Sequence, residues 1–127
     1  MRPLKDRLKD RAWTLMSIYI RRRDRGRCFT CGDIRPWEEQ NAGHFIHKDS
    51  LDYNVQNINC QCIHCNNYLS GNLGLYANNL IKKHGEKIVD ELIFLGNKVK
   101  IFTIEELKTI IMILKDKIKT LDDSGEK

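Results

Sequence analysis

Apolar side chains recur every three or four positions at both ends of the chain, and the middle third breaks that rhythm. From about Leu4 to Arg23, the residues Leu4, Leu8, Trp13, Leu15, Met16, Ile18, Tyr19 and Ile20 sit at loose helical spacing among Lys, Arg and Asp, which predicts a helix. Between Trp37 and about Ile46 the pattern reads as a short β-hairpin or irregular strand pair, followed by polar loop residues from His47 to Ser50. A helix is expected to begin near Asn66. Leu73, Ala77, Leu80, Ile81, His84, Ile88, Leu92 and Leu95 then keep a helical step, with Gly85 a weak point and Gly96-Asn97 a break. Thr103 followed by Glu106 has the form of a capping box and opens a last helix to about Leu121. Its residues Ile104, Leu107, Ile111, Leu114, Ile118 and Leu121 step by 3, 4, 3, 4 and 3, which is a heptad seam. So short a seam leaves packing within the monomer and a coiled coil equally open. Ile110 and Ile113 widen the apolar face and imply two neighbours for this helix, one of them from a second subunit.

Composition narrows the class. The 127 residues are 41% hydrophobic and 31% charged, which excludes a disordered tail, while 8% aromatic content allows only a modest core. A chain of this size gains from a staple or a partner subunit. No apolar run is long enough for a membrane span, and the first residues lack the apolar stretch of a signal peptide, so a cytoplasmic protein is expected. Lys and Arg outnumber Asp and Glu by 22 to 17, a net charge of +5 that is compatible with a polyanion. Distribution says more than the total. Arg21, Arg22, Arg23, Arg25 and Arg27 crowd one stretch with only Asp24 among the charges, and guanidinium groups match phosphate in a bidentate fork. A solvated helix end, where cations suit the dipole, is the plainer use of the same residues.

The five cysteines carry the sharpest signal. Without an export signal, disulfides are disfavoured. Cys28-X-X-Cys31 and Cys62-X-X-Cys65, with 30 residues between the pairs, suit four thiolates around a tetrahedral zinc ion. Four thiolates leave no open position, so that zinc is structural. Cys60 is the odd thiol, expected to face the core, with exchange for Cys62 as ligand left open. His64, between two ligands, is expected to point outward.

Between and beside these knuckles stand Ala42-Gly43-His44-Phe45-Ile46, then Asn57 and, after the last cysteine, Asn66. A histidine on a strand, an asparagine before the second knuckle and a ligand-type residue after it resemble the HNH nucleases. The closer resemblance is to the NinG family of phage recombination proteins, also called Rap, which are branched-DNA endonucleases. It lies in Cys-X-X-Cys-Gly, in Ala42-Gly43-His44-Phe45 and above all in the run from Gln61 through Cys65-Asn66-Asn67-Tyr68-Leu69-Ser70-Gly71-Asn72. Tyr76, Leu80-Ile81, Gly85 and Thr103 to Leu107 look similar too. The zinc arrangement also resembles endonuclease VII, a Holliday-junction resolvase with an asparagine directly after its last zinc cysteine.

The resemblance implies an α+β, mostly helical fold: a zinc-stapled HNH core of two strands and a helix around one metal, with flanking helices. One domain would span 1–127, with a basic N-terminal helix at 1–27, the core at 28–72, C-terminal helices at 73–121 and a frayed tail at 122–127. It implies that His44 takes a proton from the attacking water, that Asn66 ligates Mg²⁺ or Mn²⁺, and that Asn57 holds the histidine loop. DNA, branched as in Holliday junctions, D-loops or forks, is the implied partner, and a homodimer is the natural reader of a two-fold junction. One departure stands out. The residue before the catalytic histidine is usually an acidic metal ligand, and here it is Gly43. His47, Asp49 or Asp52 could supply a second ligand, or Asn66, water and phosphate could suffice. Ser70 and Asn72 suit packing or phosphate contact better than ligation.

Overall fold

A computed structural model describes residues 2–124. The predicted first helix, α1, spans Leu4–Arg23 and ends on three arginines in its last turn, where cations suit the helix dipole. Asp24 closes it and turns its carboxylate to the backbone N–H of Cys60 (2.9 Å), which ties the helix end to the middle of the chain. The chain then reverses at Gly26, whose φ of +71° and whose missing Cβ, which would lie 1.9 Å from the Arg35 carbonyl oxygen, admit only glycine.

The two strands are not neighbours in sequence. Trp37–Glu39, after Pro36, forms a 3₁₀ turn, and only Asn41–His44 is strand (β1). Its antiparallel partner is β2, Ile58–Gln61, in the register Asn41–Gln61, Ala42–Cys60, Gly43–Asn59 and His44–Ile58. The expected hairpin within Trp37 to Ile46 is therefore corrected. All four residues of β2 are buried, Asn59 and Gln61 among them, so its polar residues serve an internal network and hide the strand from a hydrophobic pattern.

The helix expected from Asn66 is also corrected. His64–Tyr68 is a single wide π-type turn, closed by Leu69 N–H to His64 C=O (2.9 Å). Ser70, Gly71 and Asn72 all have positive φ, and α2 begins only at Leu73, ending at His84. Gly85, at φ +99°, separates α2 from α3 (Ile88–Gly96), so the weak point is a full break. The last helix, α4 (Ile104–Asp123), carries the capping box: Thr103 Oγ1 accepts from Glu106 N–H (3.1 Å) and Glu106 accepts from Thr103 N–H (3.0 Å). It runs two residues into the segment expected to be a frayed tail, while residues 125–127 lie outside the described residues.

Two apolar clusters hold this arrangement. In the first, Ala12, Leu15, Met16 and Ile20 of α1 meet Leu107, Ile111 and Leu114 of α4, with Ile58 of β2 against them. The heptad seam is thus internal. Within the chain its neighbour is α1; Ile110 and Ile118 pack at its margin, and Ile113 is exposed. Each such fully buried side chain contributes roughly 1.5–3 kcal/mol. In the second cluster, Tyr76 and Leu80 of α2 meet Ile88 and Leu92 of α3 and Leu51 from the loop between the strands. The sheet lies between the two, touching α1 on one face and Tyr76 of α2 on the other. No helix among the described residues is long and apolar enough to cross a membrane.

Candidate metal centre and adjoining polar cleft

The paired knuckles converge. Ligand atoms of Cys28, Cys31, Cys62 and Cys65 all lie within 4.8 Å of one another. The Cys31 and Cys62 sulfurs are 3.7 Å apart, close to the edge of about 3.8 Å for a tetrahedron with zinc–sulfur bonds of about 2.3 Å. Each knuckle folds the same way: Cys31 N–H points to Cys28 Sγ (3.5 Å) and Cys65 N–H to Cys62 Sγ (3.4 Å). Burial alone would raise the Cys28 thiol, but hydrogen bonds from the Cys31 backbone and the Thr30 hydroxyl outweigh it and bring the pKa down to about 6. Burial pushes Cys60 up to about 12, and it stands outside the cluster, so the question of its exchange with Cys62 is closed. Such a four-cysteine cluster can hold a structural zinc ion. His64 is exposed.

Next to this centre, the end of β1 presents His44. Its ring stacks on Trp13 of α1 (centroids 4.9 Å apart, planes at 22°) and lies 5.6 Å from His47. Burial lowers its pKa below the ordinary imidazole value and the positive charge of His47 adds to this, while a hydrogen bond to the Asp52 backbone opposes it. Nε2 is buried and has no hydrogen-bond partner. Burial thus favours the neutral imidazole, with one nitrogen held and the other buried without a partner.

The backbone around His44 is clamped on both sides. Asn57, fully buried, accepts from Ile46 N–H (3.0 Å) and donates Nδ2 to Ile46 C=O (2.9 Å), pinning the chain two residues beyond the histidine. Tyr76 donates its hydroxyl proton to Gly43 C=O (2.6 Å) and accepts from Asn59 Nδ2 (3.2 Å). Asn66, half-buried in the π-type turn, reaches the same place: its Oδ1 is 2.9 Å from where a Cβ on Gly43 would lie. Asn66 also lines a cleft of about 380 Å³ together with Trp13, Arg21 and Asn41. A larger hollow of about 580 Å³ is bordered by Glu38 and Glu39 and by Asp33 paired with Arg35 (2.7 Å), a lining with more carboxylates than cations.

The acidic loop supplies no second cluster. Among the described residues the four cysteines form the sole group of three or more His, Cys, Asp or Glu placed to share an ion, so His47, Asp49 and Asp52 do not gather. The arginines divide. Arg22 is buried and paired with Asp122, and Arg23 pairs with Asp24 and donates to Ile58 C=O (3.2 Å) and Asn59 Oδ1 (3.1 Å). Arg25 and Arg27 are exposed, and Arg21 lies over Trp37 (5.1 Å) at the cleft. Asn72 donates to Cys65 Sγ (3.6 Å), a packing role. Sequence reasoning missed the Trp13 stack and the Asn59–Tyr76 clamp. Tyr76 entered only as part of the family resemblance, and nothing local announces that its hydroxyl reaches a strand.

Comparison with known proteins agrees with this geometry on one point. The profile of the family described as Bacteriophage Lambda NinG protein matches residues 2–125. Protein ninG of Escherichia phage lambda is 36% identical over 113 residues, covering 86% of this chain and 54% of the relative. Protein ninG of Salmonella phage P22 is 36% identical and that of Escherichia phage 933W 34%, each over 86% of this chain and 55% of the relative. The chain therefore spans about half the length of the curated relatives it matches. No solved structure matches. With the profile covering nearly every residue and relatives above 30% identity, the chain belongs to the NinG family.

Proposed function

We propose that the chain is a metal-dependent DNA endonuclease of the HNH type, cutting phosphodiesters in branched DNA such as Holliday junctions and D-loops during phage recombination. The single observation that carries this reading is His44. Its imidazole is kept neutral by burial, is oriented through the Asp52 backbone and has Nε2 without a partner, which is what a general base needs. The Asn57 and Tyr76 clamps hold that imidazole against a change of position.

The donor chemistry beside His44 suits a hard divalent cation. Asn66 offers an amide oxygen next to Gly43, which has no side chain of its own, and no thiolate faces the cleft that it lines. Asn66 would hold Mg²⁺ or Mn²⁺ there, and the ion would supply charge stabilisation at the scissile phosphate and the leaving 3′ oxygen. His44 takes the proton of the attacking water. Arg21, on the same cleft, offers a guanidinium to a phosphate, and the exposed Arg25 and Arg27 would face the flanking strand. The zinc centre does no chemistry in this scheme. It fixes where Asn66 stands, one residue after Cys65. A four-way junction offers two symmetry-related strands, so two copies act on one junction.

The test is cleavage of a four-way junction beside a linear duplex of matched sequence, with and without Mg²⁺ or Mn²⁺. Cleavage of the junction only with added metal is expected. Tight junction binding with no cleavage under any metal would make the chain a non-catalytic zinc-ribbon DNA-binding module.

A further inference from the structure

Gly43 leaves the proposed cation site one protein ligand short, and the structure fills that gap from the opposite strand. Gln61 of β2 is fully buried, and its Oε1 has no hydrogen-bond partner. An orphan carbonyl oxygen in a protein interior is destabilising unless something satisfies it. Its orientation is fixed: both protons of Nε2 are taken, one by Thr30 Oγ1 (3.2 Å) and one by Gly71 C=O (2.9 Å), so Oε1 must face the other way. That way is Gly43. Oε1 lies 1.9 Å from the point where a Cβ on Gly43 would sit, and Asn66 Oδ1 lies 2.9 Å from the same point. Two amide oxygens therefore converge on the volume that a side chain at position 43 would occupy, and any side chain there would displace Gln61.

We propose that Gln61 Oε1 is the second protein ligand of the divalent cation, reaching from β2 to stand beside Asn66 Oδ1 in place of a side chain at position 43. The identity of the ion rests on the nuclease reading; the ligand set rests on the geometry. Both oxygens are neutral, so the protein contributes no charge to the ion and DNA phosphates supply it, as is usual for Mg²⁺. Such a site binds metal weakly in free protein and more tightly with substrate present.

The test uses the zinc-loaded full chain without DNA and follows paramagnetic broadening of the Gly43 and Asn66 amide resonances as Mn²⁺ is added. Two variants share one defect: Gln61→Met and Gln61→Glu both lose the donors to Thr30 and Gly71, but only the glutamate keeps an oxygen. Loss of an outer partner of a metal site weakens binding about 10–100-fold, and loss of a ligand costs no less. Gln61→Met should therefore need at least ~10-fold more Mn²⁺ for the same broadening, and Gln61→Glu less than wild type. Parallel samples of each variant, loaded with cobalt in place of zinc, report by thiolate absorption that the cysteine centre is intact. Equal weakening in both variants would reduce Gln61 to a structural residue, and unchanged binding in Gln61→Met, or no broadening at these residues in wild type, would overturn the assignment. If Gln61→Met fails to fold, wild-type against Gln61→Glu decides alone. A chain that binds Mn²⁺ through Gln61 and cuts no DNA would end the nuclease reading and keep the ligand, whereas metal-dependent cleavage with unaltered Gln61→Met binding would do the reverse.

Discussion

Cys65 and Asn66 are neighbours in the chain and belong to opposite kinds of site. The cysteine centre gathers four thiol ligands within 4.8 Å, each knuckle lending a backbone N–H to a sulfur. It is chemically complete. The polar region beside it is made of amides and one imidazole: Asn66 and Gln61 converge on Gly43, and His44 keeps a nitrogen without a partner. On the proposed reading, metal and substrate complete it. The difference teaches how a small fold divides labour. An ion held by four charged ligands can serve as folding energy, and in the proposed scheme the geometry it fixes leaves a neighbouring site open and weakly liganded until substrate closes it.

The contrast breaks hardest at the cysteines. Structural zinc contributes an apparent ~10–16 kcal/mol of folding free energy in small zinc domains, more than a typical domain's whole stability. Cys62→Ser or Cys65→Ser should therefore lose both zinc and the cooperative thermal transition, and a Cys65→Ser chain as stable as wild type would mean that the cluster binds no ion. Asn57→Ala should cost less. It strips both side-chain partners from the half-buried Ile46 backbone, at most about 1–3 kcal/mol for each group left unsatisfied, read by chemical denaturation, and it should lower cleavage without releasing zinc.

Acid separates the regions further. The pKa of His44 is held below its ordinary value by burial, so in the window between the two the unfolded chain binds a proton that the folded chain does not. Stability contributed by neutral His44 is thus present at neutral pH and lost as pH falls, and the acid limb of the cleavage profile should lie below the ordinary histidine range; a limb at or above that range would contradict the assignment. The arginines test the DNA surface. Arg25→Ala with Arg27→Ala should lower the salt slope of binding by roughly one unit for each lost phosphate contact, whereas Arg22→Ala with Arg23→Ala should mainly destabilise the fold. A slope unchanged by the first pair would move the DNA elsewhere. Smallest of all, Thr103→Ala should cost about 1 kcal/mol in chemical denaturation and leave both sites untouched.

What the sequence revealed tracks the range of the forces involved. α1 matched from Leu4 to Arg23 and the Thr103 cap matched at both bonds, because periodicity and capping are local. The cysteine spacing foretold the cluster because a knuckle is local too. Strand β2 was hidden, since Asn59 and Gln61 are buried to hydrogen-bond and position, not to exclude water. The π-type turn at His64–Tyr68 was missed because it lasts a single turn and runs into three residues of positive φ, Ser70 to Asn72, instead of a continuing helix. Packing partners were not legible at all: one heptad stripe on α4 fits α1, a second copy or α2 equally well until the tertiary fold selects among them.

The central claim is that His44 is the base of a nuclease whose affinity for DNA lies elsewhere. Its most direct test is the single-turnover cleavage rate of a saturating four-way junction by His44→Ala beside wild type, in the same metal. The account predicts a rate lower by at least ~10²-fold, the low end for a general acid–base group, with junction affinity and bound zinc unchanged. Cleavage by His44→Ala at the wild-type rate would contradict it.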